Sequence, residues 1–432
     1  MAVREVLDGG GADDLLALGR AVTMPAAVGW AAGEIRGDLL ADDLVPLLGA
    51  DGGDGEVARG WAGERIHAES TDWTRRHLGR ASSWSAAQQA GLLLADPRPT
   101  AALLALVSQR HEDVQALFWR RMNAFLADSD IRPIVAQELA DRGRPWSAMQ
   151  VLVIHLGVSG EDAAALVDVG LVEAVLERAA IGPSDESYLA ARNSWEAGRL
   201  LDHLESAGSD ISTRARLEFL YIHLLQFSRP ARALSTALAT DAALFAELFS
   251  YVHPAEGDES TEEDLTPERR AIALAGFAAI RSWDRPPGVR PDGTIDGDQL
   301  RAWVTEARRL LAESGRLRVG DSVIGGILAH VPTDADGVWP AAPVRDLIED
   351  LESDPFDSGI LSGQINSRGV VSWSPTSGGA SGRALAEQFR EWARRVADQP
   401  KTSALLRQLA SYDEAWARRE DDQSQEFVDR DP

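Results

Sequence analysis

Apolar residues return at helical spacing along nearly the whole chain, and that period is the strongest constraint on what it can fold into. Beyond Asp296, residues Leu300, Trp303, Val304, Ala307, Leu310 and Leu311 stand three or four apart, the pattern of one buried helix face. Leu385, Phe389, Trp392, Ala393 and Val396 repeat it, as do Leu405, Leu409, Tyr412 and Trp416, and earlier Val114, Leu117, Phe118, Met122 and Phe125, then Leu217, Leu220, Tyr221 and Leu224. Short breakers separate the periodic stretches: Asp96-Pro97-Arg98-Pro99, Gly143-Arg144-Pro145, Gly182-Pro183-Ser184 and Ser228-Arg229-Pro230. Asp296 with Gln299 forms a helix start, Gly315 a stop, and Thr266-Pro267 a second start. The expectation is about twenty short helices joined by tight turns.

Consecutive helices with short connections pack antiparallel, and many such pairs in line make an α-solenoid. The fold expected is therefore all-α, an irregular helical repeat of the tetratricopeptide (TPR-like) type. Large and small apolar residues alternate, as in Pro145-Trp146-Ser147-Ala148-Met149, which suits close helix pairs. A strict 34-residue period is absent, so the repeat is degenerate. Two stretches break the pattern. Residues 254–266 are acidic and nearly free of apolar side chains, and read as an exposed linker between an N-terminal helical region, 1–253, and a C-terminal one, 267–432. Residues 354–382 hold six glycines around Val370-Val371-Ser372-Trp373 and read as a loop or small hairpin laid on the helices.

Composition removes whole classes of chemistry. With no cysteine, thiol nucleophiles, disulfides and cysteine-held metals are excluded. The single lysine, Lys401, follows Gln399-Pro400 with no glycine-rich loop, so there is no P-loop. The eight histidines form no HExxH motif or second close ligand pair. His111-Glu112-Asp113 reads as a solvated helix start, and His155 and His223 as hydrogen-bonded core residues. Asp292 to Asp298 has a glycine where an EF-hand loop needs one, but Trp303 stands where the bidentate glutamate belongs, so Asp292-Gly293 reads as a turn and Asp296 as a cap. Gly320-Asp321-Ser322-Val323-Ile324-Gly325 is one residue too long for a nucleophile elbow. No catalytic residue, cofactor or metal is expected. The net charge of −25 opposes a phosphate backbone and favours a basic partner. No apolar run approaches the roughly 20 residues that span a bilayer, and Met1-Ala2-Val3-Arg4-Glu5 lacks a signal-peptide pattern, so a cytoplasmic location without membrane contact is expected.

One cluster remains for recognition: Trp339, Arg345, Asn366, Arg368 and Trp373, around the glycine-rich segment. Tryptophan and arginine are enriched at interaction hot spots, and arginine suits carboxylates and phosphates. The alternative is that Arg345 pairs with a neighbouring carboxylate and both tryptophans close the core.

The succession Pro291-Asp292-Gly293-Thr294-Ile295-Asp296, Leu300 to Val304, Ala307 to Leu310, Ile324-Gly325, Asp336-Gly337-Val338-Trp339-Pro340, Val344-Arg345-Asp346 and Asn366-Ser367-Arg368-Gly369 resembles a helical region at the carboxyl ends of large, poorly characterised actinobacterial and cyanobacterial multi-domain proteins. Gly143 to Ala148 and Ser228 to Leu234 extend the likeness to about two thirds of the chain. The resemblance names no activity; it implies a sensor or scaffold arm in a setting of anti-phage defence. The leading expectation is a non-enzymatic helical scaffold that binds a protein or peptide. The alternatives are an effector or enzyme subunit using carboxylates in a cleft near 339–373, and a nucleic-acid sensor, which the charge disfavours.

Overall fold

The structure, a computed structural model, describes residues 2–81, 83–158, 167–182, 194–226, 228–258, 266–367 and 379–430. The chain is all-helical as expected, and the sole β pairing among the described residues is an isolated antiparallel bridge between Val289 and Ile295. It divides into two compact units, Met1–Ser209 and Asp210–Pro432.

The first unit is built around a very close helix pair, Pro25–Arg36 against Gly52–Glu69. A Cβ on Gly29 would lie 1.9 Å from the carbonyl oxygen of Val57, and one on Gly60 would lie 2.0 Å from that of Ala26. Only hydrogen atoms fit there, so the two backbones touch. Trp61 closes one end, donating to the Gly37 carbonyl at 2.9 Å and packing edge-on against Trp73. Further along lie the helices Arg132–Asp141, Pro145–Val158, Val169–Ile181 and Ser194–Ser206. Each packs on the next, and Arg132–Asp141 also packs on Val169–Ile181, as Pro145–Val158 does on Ser194–Ser206. Gly143, at φ 78°, makes the tight turn between the first two. Arg144 fixes that turn by donating to the Trp119 and Met122 carbonyls.

The second unit uses the same close approach. Leu317–Leu328 lies against Asp354–Asn366, and a Cβ on Gly325 would meet the Phe356 carbonyl at 2.1 Å, one on Gly359 the Ser322 carbonyl at 2.1 Å. Its core gathers Phe245, Trp283 and Trp303 with ring centroids 5.2–5.7 Å apart, and the Trp303 indole donates to the Leu238 carbonyl. Glu218, 1% exposed, accepts from the Leu234 amide at 2.8 Å and pairs with Arg229 at 3.2 Å, fixing the entry to the helix Arg232–Thr240.

Local signals are met. Thr266 accepts from the Arg269 amide, Asp296 from the Gln299 amide, and Gly315 ends its helix at φ 67°. Asp292 and Gly293 form the expected turn, and exposed His111 caps a helix with its ring nitrogen.

Other expectations need correction. The division into compact units falls between residues 209 and 210, and the acidic stretch 254–266 lies within the second unit. The helices flanking that stretch, Ala242–Val252 and Pro267–Ser282, pack on each other, and Arg316 donates to the His253 carbonyl at 2.7 Å. Acidic composition reports that a segment has little to bury, which does not make its flanks independent. The glycine-rich stretch opens as the helix Asp354–Asn366 and resumes helix at Ala380, because Gly359 and Gly363 serve helix contact and not turns. The hairpin expected about Val370 to Trp373 lies outside the described residues. His223 is exposed, whereas His155 is buried as expected.

No single helix among the described residues is long and apolar enough to cross a membrane. The bent pair Arg232–Thr240 and Ala242–Val252 is apolar because Leu234, Leu238, Phe245 and Phe249 fill the core of the second unit.

Candidate functional site

The five residues expected to meet a partner have different fates. Trp339 is 4% exposed, its ring edge-on to Phe389. Arg345 is 6% exposed, donating to Asp336 at 2.7 Å and to the Pro340 carbonyl at 3.2 Å. The hydrogen bond from Arg345 holds the Asp336 carboxyl below the usual range, although partial burial opposes it. Burial takes Trp339 and Arg345 away from direct contact with anything docking on the surface. The acid that pairs with Arg345 comes from the turn upstream, not from Asp346, Glu349, Asp354 or Asp357, and the Arg345 Nε is buried without a partner among the described residues. Asn366 is exposed at the end of its helix, while Arg368 and Trp373 lie outside the described residues.

A cleft of about 780 Å³ opens beside the glycine seam of the second unit, lined by residues 351–355 with Glu256, Arg308, Leu317, Arg318, Asp321, Asp357 and Lys401. Three chain segments converge there for local reasons. The helix Ala342–Asp350 ends at Leu351, and Ser353 caps the next, accepting from the Phe356 amide. The helix Pro400–Arg430 begins alongside, its first amides satisfied by Glu349, which accepts from the Lys401 amide at 3.2 Å and the Thr402 amide at 2.7 Å. Glu349 thus caps a helix N-terminus in trans, and Lys401 returns the favour by donating its ammonium to the Glu349 and Leu351 carbonyls at 2.8 and 3.1 Å. The only lysine in the chain is a brace.

Asp321, 2% exposed, receives two hydrogen bonds from Arg308, at 2.8 and 3.1 Å, and one from the Ser353 hydroxyl at 2.6 Å. The bidentate pair and the hydroxyl offset the cost of burying that carboxylate. Asp357 differs. Its Oδ1 is buried and has no hydrogen-bond partner among the described residues. Burial pushes its carboxyl above the usual range; Lys401 opposes the shift, and Asp354 and Glu349 add to it. Arg318 and Glu352 are exposed at the rim. Sequence reasoning missed this set because no spacing rule links residues 308, 321, 353, 357 and 401; the one available signal was the serine-aspartate-proline start of a helix at Ser353.

A second cavity, about 500 Å³, lies in the first unit and is lined by Asp51, Gly52, Glu56, Arg59, Asp96 and Arg121 over an apolar floor including Leu94, Phe118 and Met122. Here the charged groups other than the exposed Glu56 are engaged. Arg121 pairs with Asp51 at 3.1 Å, Arg59 donates to the Leu48 and Ala50 carbonyls, and Asp96 accepts from the Arg98 amide.

Among the described residues, no three histidine, aspartate or glutamate side chains come together in a way that could hold a metal ion. Comparisons with protein-family models, curated proteins and solved structures find no match to this chain.

Proposed function

We propose that the chain is a non-enzymatic helical scaffold or sensor module that binds a protein or peptide partner with a basic surface. The observation that supports this most is the packing of the four described helices between residues 132 and 206, in which each helix meets the next described one and Arg132–Asp141 and Pro145–Val158 also meet Val169–Ile181 and Ser194–Ser206. That neighbour relation is the one a tetratricopeptide-like repeat uses to build an extended binding surface. The net charge of −25 gives the partner's sign. The setting is a bacterial cytoplasm, in an anti-phage defence system, as the likeness of its C-terminal region implies.

The test is capture of peptides from a mixed array on the full chain at about physiological salt. Retention of arginine- and lysine-rich peptides, weakening as salt rises, is the expected result. Equal retention of acidic and basic peptides, or none of either, overturns the reading. A second reading, an effector or enzyme subunit using carboxylates near 339–373, draws support from the orphan carboxylate of Asp357. It predicts turnover of a captured partner that Asp357→Asn abolishes.

A further inference from the structure

We propose that the outer face of the helix Pro267–Ser282 docks an amphipathic helix of an acidic protein partner, its apolar side chains inward and its carboxylates toward the arginines at either end. The inference concerns a second surface, on a different unit from the four helices of the functional reading, and does not depend on that reading.

From Ala271 to Ile280 this helix has ten residues in a row without a polar side chain. A helix that is apolar all round is ordinarily buried on every side. This one buries only the side of Gly276 and Ala279, where Gly276 lets it close on Val252 and Leu248 of the preceding helix, Ala242–Val252. On the opposite side Leu274 is 52% and Phe277 50% exposed, one turn apart, with Ala271 exposed beside them. Arg270 stands four residues before the pair and Arg281 four residues after it, both exposed and on the same face. The face therefore presents an apolar centre with a guanidinium at each end, over a length of about 16 Å.

Charge fixes the kind of partner. The helix carries three arginines and one glutamate in a chain whose net charge is −25. Other helices of the unit show the ordinary arrangement. In Gly297–Glu313, Arg301, Arg308 and Arg309 all pair with carboxylates, and in Ala380–Arg395 so do Arg383, Arg390 and Arg394. Arg269 and Arg281 form no ion pair among the described residues, although acids outnumber cations 68 to 43. Carboxylates from a partner supply what the chain itself withholds, and arginine beside an exposed aromatic ring is the composition of an interaction hot spot. A helix is the form that fits. It satisfies its own backbone groups, whereas an extended strand would lay unpaired amides and carbonyls against Leu274 and Phe277. Ala271 and Ala278 flank the large side chains and leave grooves for a partner's ridges. A second copy docked face to face would bring together two patches of the same positive sign, and an anionic membrane would have to hold a body of net charge −25.

The test is fluorescence anisotropy with the full chain and three labelled peptides of about 16 residues, long enough to cover the face. One is an amphipathic helix with leucine anchors flanked by glutamates. The second exchanges each glutamate for lysine, and the third exchanges each leucine anchor for serine. The protein variants are the double change Leu274→Ser with Phe277→Ser, the single change Arg281→Glu and, as a control on the first unit, Leu39→Ser, whose side chain is also exposed. Support is binding of the glutamate peptide, with the other two peptides at least about tenfold weaker. The double variant should lose about as much, Arg281→Glu about threefold or more, and Leu39→Ser nothing; binding should also weaken as salt rises. A folded double variant that binds the glutamate peptide as the parent does overturns the assignment. Equal binding of the lysine peptide, or no binding of the glutamate peptide by the parent, does so as well. Should the double variant fail to fold, Arg281→Glu decides: unchanged affinity and unchanged salt dependence count against the face. Two more measurements admit the other occupants: sedimentation over about a hundredfold range of protein concentration, and flotation with vesicles of phosphatidylcholine and phosphatidylglycerol. Self-association or vesicle binding that the double variant or Arg281→Glu abolishes gives the face to a second copy or to a lipid surface, and overturns the acidic partner. Arginine- and lysine-rich peptides should be retained alike by parent and double variant, so the failure of this assignment and the failure of the functional reading are read separately.

Discussion

The helix seam Pro25–Arg36/Gly52–Glu69 in the first unit and the seam Leu317–Leu328/Asp354–Asn366 in the second solve one packing problem in the same way. In each, a glycine on one helix sits on a carbonyl of the other, and the reciprocal contact follows three residues away on both strands of the seam: Gly29 on Val57 and Gly60 on Ala26, Gly325 on Phe356 and Gly359 on Ser322. In each, the second helix begins at a cavity. The difference lies in what the cavity walls leave undone. The first unit pairs every buried polar atom of its cavity, whereas the second leaves Asp357 Oδ1 without a donor. Close packing accounts for the seams, and what distinguishes the second cavity is a buried oxygen of its wall left without a partner among the described residues.

The largest effect should come from the two arginine-proline turns that lead into helices, because they differ in what holds the arginine. Arg229 is paired with a buried glutamate; Arg144 donates to carbonyls. Glu218→Ala should therefore cost the second unit about 3–5 kcal/mol, as removal of one member of a buried pair does. Arg144→Ala should cost the first unit about 1.5–3 kcal/mol, the range for hydrogen bonds to a charged group. Denaturant unfolding followed separately in each unit checks both, and equal losses would erase the distinction.

Next come the seams. Gly→Ala within an ordinary helix gains up to about 1 kcal/mol. Gly29→Ala and Gly325→Ala should instead each lose about 2–3 kcal/mol, because the new methyl overlaps a carbonyl and the helices must part. If one alanine is tolerated and the other is not, the two seams are not equivalent.

The smallest effects are in pH dependence, and they run in opposite directions. Burial, with Arg132 nearby, lowers the His155 pKa. The unfolded chain then takes up the proton first as pH falls below about 6.5, so acidification weakens the first unit through this residue. His155→Leu should remove that part of the profile. The Asp357 carboxyl is raised, so the folded state takes up its proton first, and acidification through the window between its folded value and about 3.9 strengthens the second unit through this group. Melting temperatures of the parent, His155→Leu and Asp357→Asn from about pH 7.5 to pH 4 should show the two differences with opposite slopes. Slopes of the same sign would mean that one of the two environments is misassigned.

By itself the sequence determined what depends on a few neighbouring residues. Apolar spacing set the helical class, and Thr266, Asp296 and Gly315 marked helix ends where they occur, because a cap is completed within three or four residues of the chain. Tertiary structure alone decided which side chains of the right type would be reachable. Arg345 was a recognition candidate by type and is buried on Asp336; His223 sat in an apolar pattern and is exposed; Lys401 became a brace for a helix end fifty residues upstream. Gly359 and Gly363 looked like turn residues and are contact points inside a helix, since a glycine signals permission for close approach or for a turn without saying which. The cleft belongs to this second kind of information. Whether Asp321 is satisfied and Asp357 is not depends on which helices bring donors to them, and that pairing is made across tens of residues by packing, which no local pattern encodes.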